Sequence, residues 1–130
     1  KTRRQDVTGQ EVLAKFRPED AVEAFDKSVN ALQACIAADP AKTTVVVTHH
    51  APSWLGLNEK FTGGPLDGAY ASRLDSLIEQ LESVPIWVHG HTHVRRSYTI
   101  GKTRVVTNAR GLEAKDAGAR DFSPTAYFEI

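Results

Sequence analysis

The sequence predicts an α/β fold in which helices alternate with parallel strands and an antiparallel hairpin closes the run. A helix-period stretch followed by a short β-branched run occurs twice, and that order calls for a parallel sheet. Both apolar runs end in histidine, in "VVVTHH" and in "IWVHGHTH". After them, "VRRSYTI" and "TRVVTN" flank Gly101 and Lys102, the pattern of a hairpin turn. With no repeats, low-complexity tracts or linkers, residues 1–130 read as a single unit.

Each element has its own warrant. "KTRR" at the start is the densest basic cluster, and a short terminal run of this kind reads as a solvated end. "RPEDAVEAFDKSVNALQACIAADP" reads as a helix, with Pro18 in the first turn and Glu19 and Asp20 at the positive end of the dipole. Val22, Phe25, Val29, Leu32 and Ile36 recur at helical spacing, and Pro40 stops the helix. Cys35 lies among them and reads as inert packing. "KTTVVVTHH" is too uniformly apolar for a half-exposed strand and is expected to be buried on both faces. The long loop "HAPSWLGLNEKFTGGPLDG" is rich in Gly and Pro, a length usually either functional or disordered, with Trp54 and Phe61 expected to pin it. "AYASRLDSLIEQLES" reads as a second helix with Tyr70, Leu74, Leu77, Ile78 and Leu81 on one face. "VPIWVHG" is again a strand, and the tail "AYFEI" is expected to add one more.

Composition excludes several function classes. Sixteen basic and sixteen acidic side chains cancel, so nothing in the charge favours nucleic acid or a membrane surface as partner. No apolar run reaches the length of a membrane span, and no signal peptide is visible. The lone Cys35 rules out an internal disulfide and favours a reducing, cytoplasmic compartment. The chain has no methionine, even at position 1, so the expectation is that it was cut from something longer.

The histidines carry the chemistry. All five, His49, His50, His89, His91 and His93, follow apolar runs, and ligands in open α/β sheets bind at the carboxyl ends of strands. If the two strands are parallel neighbours, their histidines converge at one edge. In an extended segment His91 and His93 point the same way, while His50 points away from His49. Neutral imidazole suits Zn, Mn or Fe. A single histidine at a strand end is more often hydrogen-bonded structure than ligand, and His50 and His89 taken alone read as supporting or structural residues.

"VVVTHHAPS", followed some forty residues on by "WVHGHTH", resembles the last two metal-ligand motifs of the calcineurin-like metallophosphoesterases. "TRVVTNARGL" and "FSPTAYFEI" resemble the segments that close that fold. The resemblance runs from about Arg17 onward and implies the C-terminal half of a four-layer α/β/β/α sandwich. It implies His49 and His91 as ligands of one metal and His93 as ligand of its partner ion, with His50, His89 and Asn108 supporting or structural.

The family's Asp-x-His, Gly-Asp and Asn-His motifs do not occur in this sequence, so none of its carboxylate ligands, nor the histidine that serves as acid, is present. The resemblance therefore implies part of an enzyme that hydrolyses phosphomonoesters or phosphodiesters with two divalent ions (Mn, Fe or Zn). The chain alone is expected to bind at most one ion weakly and to be inactive, with no catalytic residue of its own. A cut edge is expected to favour self-association. Two other classes stand beside this reading: a non-catalytic metal-binding or interaction domain with a degenerate half-site, and a structural α/β domain whose histidines bond to backbone.

Overall fold

In a computed structural model the described residues are 1–59, 62–112 and 122–130. They form two compact units, Lys1–Asp39 and Pro40–Ile130. Phe61, expected to pin the long loop, lies outside the described residues.

The first unit opens with an antiparallel hairpin, β1 (Thr2–Gln5) against β2 (Glu11–Ala14). Its turn is closed by Asp6, whose carboxylate accepts from the Thr8 amide at 2.8 Å, the Thr8 hydroxyl at 2.6 Å and the Gln10 amide at 3.1 Å. Gly9 completes the turn at φ 84°, a left-handed conformation that glycine adopts without steric cost. "KTRR", expected as a solvated end, is thus mostly strand, and Arg4 pairs with Asp20. Helix α1 (Pro18–Ala37) follows, with Asp20 also accepting the Arg17 amide at 2.7 Å and so satisfying an orphan donor of the first turn. The helix is where the periodicity put it, but its burial is not. Val22 and Phe25 are exposed, and Ile36 is the buried residue of the helix. Cys35 is exposed rather than packed; adjacent positions differ by about 100° around a helix, so burial of Ile36 does not extend to it.

The second unit is mixed α/β. Its sheet runs β3 (Val45–Thr48), β4 (Ile86–His89), β6 (Thr103–Asn108), β5 (Arg95–Ile100) in spatial order. β3 and β6 both lie parallel to β4, and β5 returns antiparallel to β6 through the Gly101–Lys102 turn. Central β4 is the best buried strand: Trp87 is fully buried, and its indole N–H donates to the Thr48 hydroxyl at 3.0 Å, tying β4 to β3. Val46, Ile78, Val84, Ile86, Val105 and Val106 complete the core around it.

Three expectations fail here for identifiable reasons. β3 is not buried on both faces: Val46 is buried while Val45 and Val47 are exposed, the alternation of an edge strand covered on one side. The second helix, expected over residues 69–83, shrinks to α2 (Asp75–Ile78) after a 3₁₀ turn at Asp67–Ala69. The residues between are zipped to the segment after β3 instead. The Ala51 amide donates to the Tyr70 carbonyl, the Ser72 amide to the Ala51 carbonyl and the Leu74 amide to the Pro52 carbonyl, at 2.9–3.0 Å. Backbone groups used in that bridge cannot also bond within a helix. The tail "AYFEI" forms no strand; Phe128 lies under the Arg104 guanidinium instead, 5.3 Å from its ring centroid. No helix among the described residues is long and apolar enough to cross a membrane.

Core position and edge position should differ in cost. Ile78→Ala empties a fully buried site and is expected to destabilise the fold by about 2–5 kcal/mol. Val47→Ala, on the open face of β3, is expected to stay within about 0.5 kcal/mol. Urea denaturation of both variants checks the ranking, and equal costs would mean that the open face is covered.

Candidate metal centre

β3 and β4 are paired in equal register, Val45 opposite Ile86 and Thr48 opposite His89, so both strands end at the same level. The pairing continues one step further, where the Gly90 amide donates to the His49 carbonyl at 3.1 Å. The chain then turns away on each side, and the residues just past the strands face one another. Nε2 of His49 lies 3.0 Å from Nδ1 of His91. The His50 ring stands edge-on to both, with centroids 5.2 Å from His49 and 4.9 Å from His91.

His49, His50 and His91 each offer a ring nitrogen, and these atoms lie within 4.8 Å of one another. Two nitrogens on a tetrahedral zinc, each bonded at about 2.0–2.1 Å, are roughly 3.3 Å apart. The His49–His91 separation of 3.0 Å is already close to that, and a ring nitrogen of His50 lies within 4.8 Å of both. The donor set therefore fits one borderline transition-metal ion. His49 and His50 are exposed and His91 half-buried, so an ion held there would keep open positions for water or substrate oxygen. Among the described residues no Asp or Glu belongs to the group.

The turn that presents His91 is strained. The Thr92 amide donates to the Gly90 carbonyl at 2.7 Å, and His91 between them has φ 63°. A three-residue turn of this hand is rare, and a non-glycine residue at positive φ costs about 1–3 kcal/mol. His93 also has positive φ, at 51°. The segment is therefore not extended, and the period-two reasoning that set His91 and His93 side by side does not apply. His93 falls outside the three-imidazole group, although its charge still acts on His91. The expectation that His50 points away from His49 fails similarly, because β3 ends at Thr48 and alternation ends with it. The Thr48 hydroxyl donates to the His50 carbonyl at 2.8 Å and helps fix that bend.

Burial holds the His91 imidazole below its usual pKa, and the neighbouring His49, His50 and His93 push the same way, while a hydrogen bond to the Ala69 backbone opposes them. Burial and His49 lower His50 likewise. Disfavoured protonation of His50 and His91 keeps their ring lone pairs available to a metal.

His89 is buried in β4, its pKa lowered by that burial, and its Nδ1 donates to the Gly90 carbonyl at 3.1 Å. Asn108, at the end of β6, spends both ends of its amide on the Ser123 backbone, donating to the carbonyl at 2.7 Å and accepting from the amide at 3.1 Å. Tyr70, read as a helix-face residue, instead stacks on His91 with centroids 4.7 Å apart. No sequence signal marked it, since the bridge at Ala51 that delivers it is a tertiary contact. Trp54 is partly exposed beneath the Arg73 guanidinium, 4.1 Å from its ring centroid.

No protein-family model, curated protein or solved structure matches this chain.

Because His50, His89 and His91 all have lowered pKa values, the unfolded chain binds protons more readily than the folded one. Stability then rises with pH across this window. The contribution is complete above about pH 6.5 and is lost as the pH falls from there through the lowered folded-state values. Thermal melts in chelator from pH 8 to pH 5 should show Tm falling on acidification. The largest share is expected from buried His89, since the exposed rings are screened; a Tm that rises would contradict the assignment.

Proposed function

We propose that this chain carries the imidazole side of a metal-dependent phosphoesterase site, as its resemblance to the calcineurin-like metallophosphoesterases implies. On this reading it corresponds to the C-terminal half of their four-layer α/β/β/α sandwich. The observation that carries the reading is the convergence of His49, His50 and His91 at the carboxyl edge of two parallel strands. These residues would hold one divalent ion, Mn, Fe or Zn; His93 would face a second. When bound, such ions polarise phosphate oxygens and lower the pKa of a bound water, the chemistry of phosphoester hydrolysis. The chain's own part is to position the imidazoles in unprotonated form and leave one side open to a phosphate ester.

A second reading is favoured by one specific feature, the lack of carboxylates in the group among the described residues. Without a bridging carboxylate a second ion has no anchor close to the first, and the chain would be a metal-binding or interaction domain without hydrolytic chemistry.

Titration calorimetry with Zn and Mn tests the site. His49→Ala and His91→Ala are expected to abolish measurable binding, whereas His93→Ala should cost no more than the roughly 10–100-fold typical of residues outside the coordination sphere. Equal loss at all three would put His93 on the same ion.

Inorganic phosphate distinguishes the two readings. The Zn-loaded chain is expected to bind phosphate, the His91→Ala variant not, and neither to turn over a chromogenic phosphodiester. Metal binding with no phosphate binding would favour the non-catalytic reading. Turnover that His91→Ala abolishes would show that three imidazoles suffice.

A further inference from the structure

Beneath the histidine cluster lies a second polar arrangement. His89 Nε2 and the Tyr98 hydroxyl oxygen are both shielded from solvent, and neither has a hydrogen-bond partner among the described residues. Both converge on Gly56. A Cβ added there would meet His89 Nε2 at 3.0 Å, the Tyr98 hydroxyl at 3.0 Å and the Ala51 side chain at 2.8 Å. The two orphaned atoms are therefore at most about 6 Å apart, and both lie so close to Gly56 that a side chain there would press on them. Leaving two such groups unsatisfied is costly, and natural interiors rarely do so.

Their hydrogen-bonding roles are complementary. The Gly90 carbonyl can only accept, so the 3.1 Å contact with His89 Nδ1 places the proton on Nδ1. Nε2 of the neutral ring is then a bare acceptor. Tyr98 keeps its proton, because burial and the nearby Asp75 charge raise its pKa. It is a donor without an acceptor, facing an acceptor without a donor.

We infer that the Tyr98 hydroxyl hydrogen-bonds to His89 Nε2, directly or through one buried water, and that this pair positions the turn presenting His91. The connection runs through a single atom. The Gly90 carbonyl accepts from His89 Nδ1 at 3.1 Å and from the Thr92 amide at 2.7 Å, the bond that closes the strained turn around His91. Tyr98 orients the ring, the ring holds the carbonyl, and the carbonyl holds the turn. His89 and Tyr98 are positioning residues that act from β4 and β5, and a side chain at position 56 would push into both. The hydrogen bond is independent of any metal; its effect on His91 rests on the metal reading above.

The experiment uses the full chain and Tyr98→Phe, which keeps the ring and removes only the hydroxyl. Nitrogen-15 NMR of the histidine rings is expected to show His89 protonated at Nδ1. The Nε2 resonance should move towards the unbonded value in Tyr98→Phe, a signature that a merely space-filling tyrosine would not change. Protonation at Nε2, or an unmoved resonance, would overturn the pair. Cobalt titration is then expected to show binding weakened about 10–100-fold in Tyr98→Phe, as for other residues that orient a ligand. An unchanged cobalt affinity beside a shifted Nε2 would overturn the positioning role while leaving the hydrogen bond. If the unsubstituted chain binds no cobalt at all, the metal reading fails and the NMR result alone decides the pair.

Discussion

The equal register of β3 against β4 is the constraint on which the rest of the second unit depends. Thr48 opposite His89 brings both strands to an end at one level, and the Gly90–His49 backbone bond adds a last rung before the chains part. Trp87 reinforces this register from within, since its indole reaches Thr48 only when the strands are aligned so. A slip of β3 by one residue would turn Val46 to its open face and carry His49 out of line with His91. Burial of the core and assembly of the cluster are thus set by one pairing.

That arrangement is not relaxed. His91 has positive φ, its ring is pressed against two other imidazoles and Tyr70, and its protonation is disfavoured by burial and by like charge. A fold whose core ends just beneath the cluster can support such a turn, and the parallel bridge from Ala51 to Ala71 holds Tyr70 against it. Backbone strain at His91 and disfavoured protonation of His50 and His91 thus coincide at one strand end, the kind of clustering that accompanies functional sites.

Much of this was legible in the residues. The spacing of Val22 to Ile36 placed α1, Gly101 placed the hairpin turn, and the two apolar runs ending in histidine placed β3 and β4 in parallel. The failures share a cause. Tyr70 to Leu74 has helical periodicity, yet its backbone pairs with Ala51 and Pro52, because a neighbouring segment offers partners that a local pattern cannot display. Val45 and Val47 are as apolar as Val46, but only one face of β3 is covered, and which faces the fold covers is not written in the strand itself. Cys35 belongs with these: the pattern showed a helix, not what lay against each side of it.

By itself the sequence determined which side chains stand at the ends of which strands, because β-branched runs and glycine turns are local preferences of the backbone. That was enough to single out five histidines and to expect them at one edge. Only the tertiary structure decided which of them meet. Period-two alternation holds while a chain is extended, and it stops at Thr48 and at Gly90, where the bonds from Thr48 to the His50 carbonyl and from Thr92 to the Gly90 carbonyl bend the backbone at the point the two paired strands end. His50 therefore joins His49 and His91, and His93 falls outside their group. His89 turns inward towards Tyr98 and Gly56, residues from separate parts of the chain whose nearness no local pattern could express.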